Sequence, residues 1–197
     1  MSCLKELEVL IEKNNGLLLT KEVTKAGIPR EYIIKLVKMG VLKRLERGIY
    51  ASNNNMDDEL YCLQTKHSKL VFSHSTALFL HNLIDVEQLP YEVTVPAGYN
   101  SQNLKDGGII VHSVKKELYD LGICYIKNQY GREIKTYDIE RTICDILKKR
   151  NQIDILTLTK ILKDYGNCRN KDINKLMNYA EILRVSKILN VYMPIFI

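Results

Sequence analysis

Six basic side chains fall within residues 30–50: Arg30, Lys35, Lys38, Lys43, Arg44 and Arg47. Only Glu31 and Glu46 oppose them there, six positive against two negative, a local excess of +4. Basic residues at this density suit the neutralisation of phosphates, the main source of sequence-independent affinity for DNA. An arginine can also read guanine through two parallel hydrogen bonds. A solvated helix face carries similar charges, so the elements that hold these residues decide between the two readings.

The other constellations point to weaker chemistry. Glu140 and Asp145 could suggest an acid–base pair, but five residues of helix separate them by ~140° at 100° per residue, so they do not share a face. Glu140 and Arg141 are expected to anchor their helix to the sheet. Glu133-Ile134-Lys135 resembles the Glu-x-Lys half of a metal-dependent nuclease, with Asp106 or Asp120 as the further acid such a site needs. A pattern this short recurs by chance. His67, His74 and His81 recur every seven residues, ~10.5 Å along a helix, which one ion cannot bridge. Five cysteines at 3, 62, 124, 144 and 168 include no Cys-x-x-Cys pair, which argues against a zinc finger or a disulfide framework. The chain has no Walker loop and no Rossmann glycine pattern. It also lacks a Gly-Ser followed by Asp-x-Asp, so it is not itself a nucleotidyltransferase. The reading is a protein that is not an enzyme and needs no cofactor or metal.

The elements that must position the basic residues follow from periodicity. Cys3 to Asn14 predicts an amphipathic helix on Leu4, Leu7 and Ile11, stopped at Asn14-Asn15-Gly16. Leu17-Leu18-Leu19 reads as a short strand. Thr20 is the expected N-cap of a short helix that ends at Gly27. Pro29 opens the next helix, whose apolar stripe is Ile33, Leu36 and Val37 and whose other face carries Glu31, Lys35 and Lys38. Gly40 closes it. Val41 to Glu46, a turn at Arg47-Gly48, and Ile49-Tyr50-Ala51 form a hairpin, with Tyr50 expected to pack at its base. Helix, strand, helix, turn, helix and hairpin in this order are a winged helix-turn-helix, in which the second helix of the pair enters the major groove.

The 197 residues are 46% hydrophobic and 26% charged with a net charge of +6, too apolar for a disordered chain. Residues 1–51 hold ten Lys/Arg and six Asp/Glu, a net +4. No apolar run approaches the ~18 residues of a membrane span, and the first residues do not read as a signal peptide, so a cytoplasmic protein is expected. Ser52-Asn53-Asn54-Asn55 reads as a linker. The expected division is a DNA-binding domain at 1–52 and a second domain at 57–197. The fold class is α+β: the winged helix-turn-helix, then a mixed domain with a small sheet and several helices. Helices are expected at Asp57–Ser68, Ser75–Leu83, Asp138–Lys149, Ile155–Tyr165 and Asp172–Leu189. Strands are expected at Leu70–Phe72, Tyr91–Val95, Ile109–Val114, Ile123–Ile126 and Arg132–Tyr137. Ala97–Gly108 reads as a loop, and Val191–Ile197 as an edge strand or docked tail.

Three stretches resemble the AbiEi antitoxins of AbiE abortive-infection (type IV) toxin–antitoxin systems, a class of phage defence. They are Ala26-Gly27-Ile28-Pro29-Arg30-Glu31-Tyr32 with Leu36 to Gly40, the wing Leu42 to Tyr50, and a middle block. That block comprises Ser75 to Leu78, His81-Asn82-Leu83, Val93 to Pro96, and Glu140 to Asp145. The resemblance implies a repressor of the operon's own promoter that counters a nucleotidyltransferase toxin without a stable complex. On this reading Thr20, Lys21, Lys35, Lys38, Lys43 and Arg44 contact phosphates, while Arg30, Tyr32 and Arg47 read bases or the groove. Operator DNA with inverted repeats implies two protomers per site. The alternative is a winged-helix regulator that senses a small ligand and has no toxin partner.

Overall fold

A computed structural model describes residues 3–52 and 58–196. Of the expected linker only Ser52 lies among them, as does all of the following helix except Asp57. The chain divides into two compact units: Met1–Lys66 with Lys127–Ile134, and His67–Ile126 with Lys135–Ile197.

The first unit runs α1 (Cys3–Lys13), β1 (Leu17–Leu19), α2 (Thr20–Lys25), α3 (Glu31–Lys38), β2 (Leu42–Glu46), β3 (Ile49–Ser52) and α4 (Glu59–Lys66). Its sheet has the order β1-β3-β2, all antiparallel. The three leucines of β1 are all buried because successive strand residues point to opposite faces and both faces are covered. Leu18 joins Leu7, Val23, Ile28, Ile33, Leu36 and Leu42 under α1–α3. Leu17 and Leu19 join Ile49, Ala51 and Cys62 of α4.

This unit therefore takes in more chain than the expected 1–52, because α4 closes the second face of the wing sheet. It also takes in Lys127–Ile134. Arg132 is buried there, and its guanidinium finds its acceptors at Asp58 and at the carbonyls of Asn14 and Asn15.

The second unit contains β4 (Val71–Phe72), α5 (His74–Leu80), β5 (Glu92–Pro96), α6 (Gln102–Asp106), β6 (Ile110–Val114), α7 (Lys116–Tyr119), β7 (Ile123–Lys127) up to Ile126, β8 (Glu133–Tyr137) from Lys135, α8 (Ile139–Lys148), α9 (Ile155–Asn167), α10 (Ile173–Ile182) and α11 (Ser186–Tyr192). Its sheet has the order β6-β5-β4-β8-β7. β5 pairs antiparallel with β4 and parallel with β6, and β4 pairs parallel with β8. Glu140 through Leu147 of α8 are all buried, with Ile143 and Leu147 packed among Leu158, Leu162, Leu176 and Leu189.

Asp138, Asp154 and Asp172 cap α8, α9 and α10 by accepting from backbone N–H groups, which satisfies donors that each helix start leaves open. Three expectations are corrected. The stretch Ala97–Gly108 contains α6. The helix expected over Asp172–Leu189 is two helices, broken where Arg184 takes φ +60°. Of the two forms expected for the tail, the strand is corrected and the docked tail holds: it continues as the end of α11 and a 3₁₀ turn at Met193–Ile195, with Phe196 buried. Its Phe196 ring stands edge-on to Tyr165 at 5.4 Å.

Candidate nucleic-acid interface

The helix pair begins at a tight joint. Thr20 is the first residue of α2, and the cap position belongs to Leu19. This corrects the expected role of the Thr20 side chain. Its backbone N–H instead donates to the Gly48 carbonyl at 2.9 Å, which fixes the wing turn against the start of α2. Gly48 sits at φ +83°, a conformation that costs other residues backbone strain. Lys21 is exposed on α2.

Arg30 precedes α3 and is exposed, with its guanidinium 3.5 Å from the Thr24 hydroxyl across the turn. Along α3 the buried positions are Ile33 and Leu36. The opposite stripe is Glu31, Ile34, Lys35 and Lys38, spaced i, i+3, i+4 and i+7, all exposed. With Met39 these four line a shallow groove of about 410 Å³. Tyr32 is half-buried against the core of the first unit, as is Tyr50, where the sequence put it. The structure thus sets Tyr32 apart from the stripe that faces outward.

Ile34 was missed as a candidate. The available signal is an isoleucine at a position where the rest of the stripe is charged; it is 54% exposed.

On the wing, Lys43, Arg44 and Arg47 are exposed. Arg44 Nε donates to the Glu46 carbonyl at 3.2 Å. The pairing of β2 with β3 shifts between Arg44 and Glu46, so the wing bends one residue before its tip. Glu46, one of the two acids near the basic cluster, is paired with Lys66 at 2.9 Å.

Residues 6–53 match the transcriptional-regulator family of AbiEi antitoxins. The matched AbiEi segment spans α1 through the wing and includes every residue of the basic stripe. The match supports a DNA-binding regulator of antitoxin type. No curated protein matches the sequence. In fold the chain is similar to the crystal structure of the RV2827C protein from Mycobacterium tuberculosis. The two share 12% identity and a TM-score of 0.59 over 94% of this chain and 75% of the other, a likeness of architecture. No helix among the described residues is long and apolar enough to cross a membrane.

The remaining candidates in the second unit resolve as follows. Arg141 is fully buried, donating to the carbonyls of Leu118 and Leu121 and to Asp145. Glu140 accepts from the Asp172 backbone N–H and the Tyr165 hydroxyl and pairs with Lys175. Glu140 thus ties helices together, while Arg141 holds the connection before β7 and, with its guanidinium 4.4 Å from the centre of the Tyr137 ring on β8, anchors α8 to the sheet as expected. The Lys135 ammonium donates to the Ser68 carbonyl, and Asp106 accepts from Gln102.

Among the described residues, three potential metal ligands converge at His74, Glu92 and His112; Glu133 is not one of them. His67 instead meets the Tyr99 hydroxyl at 2.9 Å, and His81 meets the Tyr137 carbonyl at 2.7 Å. Burial, with His112 beside it, pushes His74 down to about 3, so its imidazole is neutral at pH 7. Burial alone would raise Glu92, but the hydrogen bond from His112 and the nearby His74 draw it down to about 2.

Proposed function

We propose that the chain is a cytoplasmic, non-enzymatic antitoxin that represses its own operon and counters a nucleotidyltransferase toxin without forming a stable complex with it. The single observation that carries the DNA-binding part is the outward stripe of α3. Its Lys35 and Lys38 stand opposite the buried Ile33 and Leu36, between Arg30 at the helix start and Lys43, Arg44 and Arg47 on the wing. Cations gathered around the second helix of the pair suit a helix laid in the major groove.

Lys35, Lys38, Lys43 and Arg44 contact phosphates, with Lys21 and the Thr20 backbone region at the groove edge. Arg30 reads a base, Arg47 enters the groove beside the wing, and Ile34 contacts a thymine methyl group. Tyr32, half-buried, supports the helix and offers its hydroxyl to a phosphate. Two protomers occupy an inverted-repeat operator. The AbiEi-type match supports the regulatory reading.

The test is fluorescence anisotropy with DNA from upstream of the gene and with scrambled DNA, at two salt concentrations. Preference for the upstream DNA with a steep salt slope is expected. An Arg30/Lys43/Arg44 triple alanine should lose it. Equal weak binding to both DNAs overturns the repressor reading. Growth rescue on co-expression with a neighbouring nucleotidyltransferase, without co-purification, tests the antitoxin half.

A further inference from the structure

We propose that His74, Glu92 and His112 form a divalent transition-metal site of two imidazoles and one carboxylate, taking zinc-class ions in preference to magnesium. The three residues come from three elements of the second unit. The potential ligand atoms all lie within 4.8 Å of one another. Parallel pairing of β5 with β6 sets Thr94 opposite His112, and Glu92, two residues earlier on the same face, reaches His112 Nε2 with its Oε2 at 2.7 Å. His74 arrives from the start of α5 with φ +51°. A left-handed backbone is uncommon outside glycine, although histidine adopts it more readily than most residues, and such conformations cluster where a side chain must be aimed. The His74 and His112 rings lie 3.9 Å apart.

The surrounding groups orient the ligands. Ser73 Oγ lies 3.0 Å from His74 Nδ1 and accepts from the Thr94 hydroxyl at 2.9 Å. This leaves Nε2 as the histidine's ligand atom. Ser75 Oγ donates to Glu92 Oε1 at 2.7 Å, which leaves Oε2 for the ion. Hydrogen bonds of this kind fix the ring and carboxylate orientation at metal centres. Imidazole donors favour zinc, copper, nickel or iron, whereas magnesium favours oxygen ligands and retained water. Three protein ligands leave the fourth tetrahedral position to water or an anion.

A cation already stands here. The Lys149 ammonium is 3.2 Å from both ring nitrogens of His112 and 3.7 Å from Glu92 Oε2. It is the tethered counter-ion of the metal-free state, and its partly exposed side chain swings out when the ion enters. Removing that charge therefore strengthens metal binding, the opposite of what a fourth ligand or a purely structural lysine would do.

The experiment is isothermal titration of the untagged full chain with Zn²⁺ and Mg²⁺, and visible absorption with Co²⁺. One equivalent of Zn²⁺ binds and Mg²⁺ does not. Co²⁺ gives ligand-field bands without thiolate charge transfer. Glu92→Gln and His112→Asn each weaken Zn²⁺ binding by about 10-fold or more, and Lys149→Met tightens it. Circular dichroism confirms that the variants are folded; if one is not, the wild-type and Lys149→Met titrations decide. No stoichiometric binding to either the wild type or Lys149→Met overturns the proposal. A cobalt–thiolate band, which places the ion on cysteine, also overturns it, as does Zn²⁺ affinity unchanged in folded His112→Asn.

Discussion

The Arg132 guanidinium lies 2.7 Å from the Asp58 carboxylate, with both side chains at most 3% exposed. The same guanidinium donates to the Asn15 carbonyl at 2.6 Å and lies 5.4 Å from the centre of the Tyr130 ring. Removing one partner of a buried pair strands the other charge, at a cost of about 3–5 kcal/mol. Arg132→Ala and Asp58→Ala are each expected to lose that much in urea unfolding. The double variant Arg132→Met/Asp58→Leu loses less than the sum of the two. Single losses under about 1 kcal/mol would show that the pair is not needed to hold Lys127–Ile134 in the first unit.

The proposed DNA interface gives Arg30 and Lys43 different targets, a base for Arg30 and a phosphate for Lys43. Arg30→Ala is expected to cost about 1–3 kcal/mol on the operator and to relax preference at one base pair. Lys43→Ala weakens binding to all sequences and lowers the salt slope by about 1. Anisotropy titrations over a set of single-base operator variants separate the two patterns. A uniform loss for Arg30→Ala would remove it from readout.

Ile34 is exposed, so Ile34→Ser should leave stability within about 0.5 kcal/mol. The proposed contact with one thymine methyl is expected to be worth about 1 kcal/mol, roughly fivefold in affinity. Replacing thymines by deoxyuridine one at a time along the operator checks this. The wild type loses affinity at one position where Ile34→Ser is insensitive. If both proteins respond alike everywhere, Ile34 does not touch the groove.

His81 is held below the usual histidine range, chiefly by burial. The Tyr137 carbonyl, Asp138 and Glu140 pull it upward, and Lys175 pushes it down. The unfolded chain therefore binds this proton more readily than the folded one, so stability falls as pH drops below about 6.5. The slope from one proton is at most about 1.4 kcal/mol per pH unit. Unfolding curves between about pH 7.5 and about pH 5.5, which bracket the ordinary histidine range, should show a flatter dependence in His81→Gln. An unchanged dependence would assign the effect to other groups.

Much of the first unit was legible because its signals are local. The period of Leu4, Leu7 and Ile11, the proline at 29 and the glycines at 40 and 48 each constrain a few adjacent residues. Together they specify the helix pair and the wing. The outward placement of Lys35 and Lys38 follows from the burial of Ile33 and Leu36 on a 3.6-residue period. The second unit was less legible. The short helices α6 and α7 each carry little more than one turn of pattern, and the break at Arg184 has no glycine or proline to announce it.

The sequence by itself determined the winged helix-turn-helix and the concentration of positive charge on it, because these depend on residues within one or two turns of each other. Tertiary structure decided which distant groups share a site. Asp58 and Arg132 are 74 positions apart, and His74, Glu92 and His112 span 38 positions. The first pair meets because a buried guanidinium must find acceptors wherever the chain supplies them. The second group meets through the register of two parallel strands and the entry angle of α5, neither of which leaves a periodic mark on the sequence.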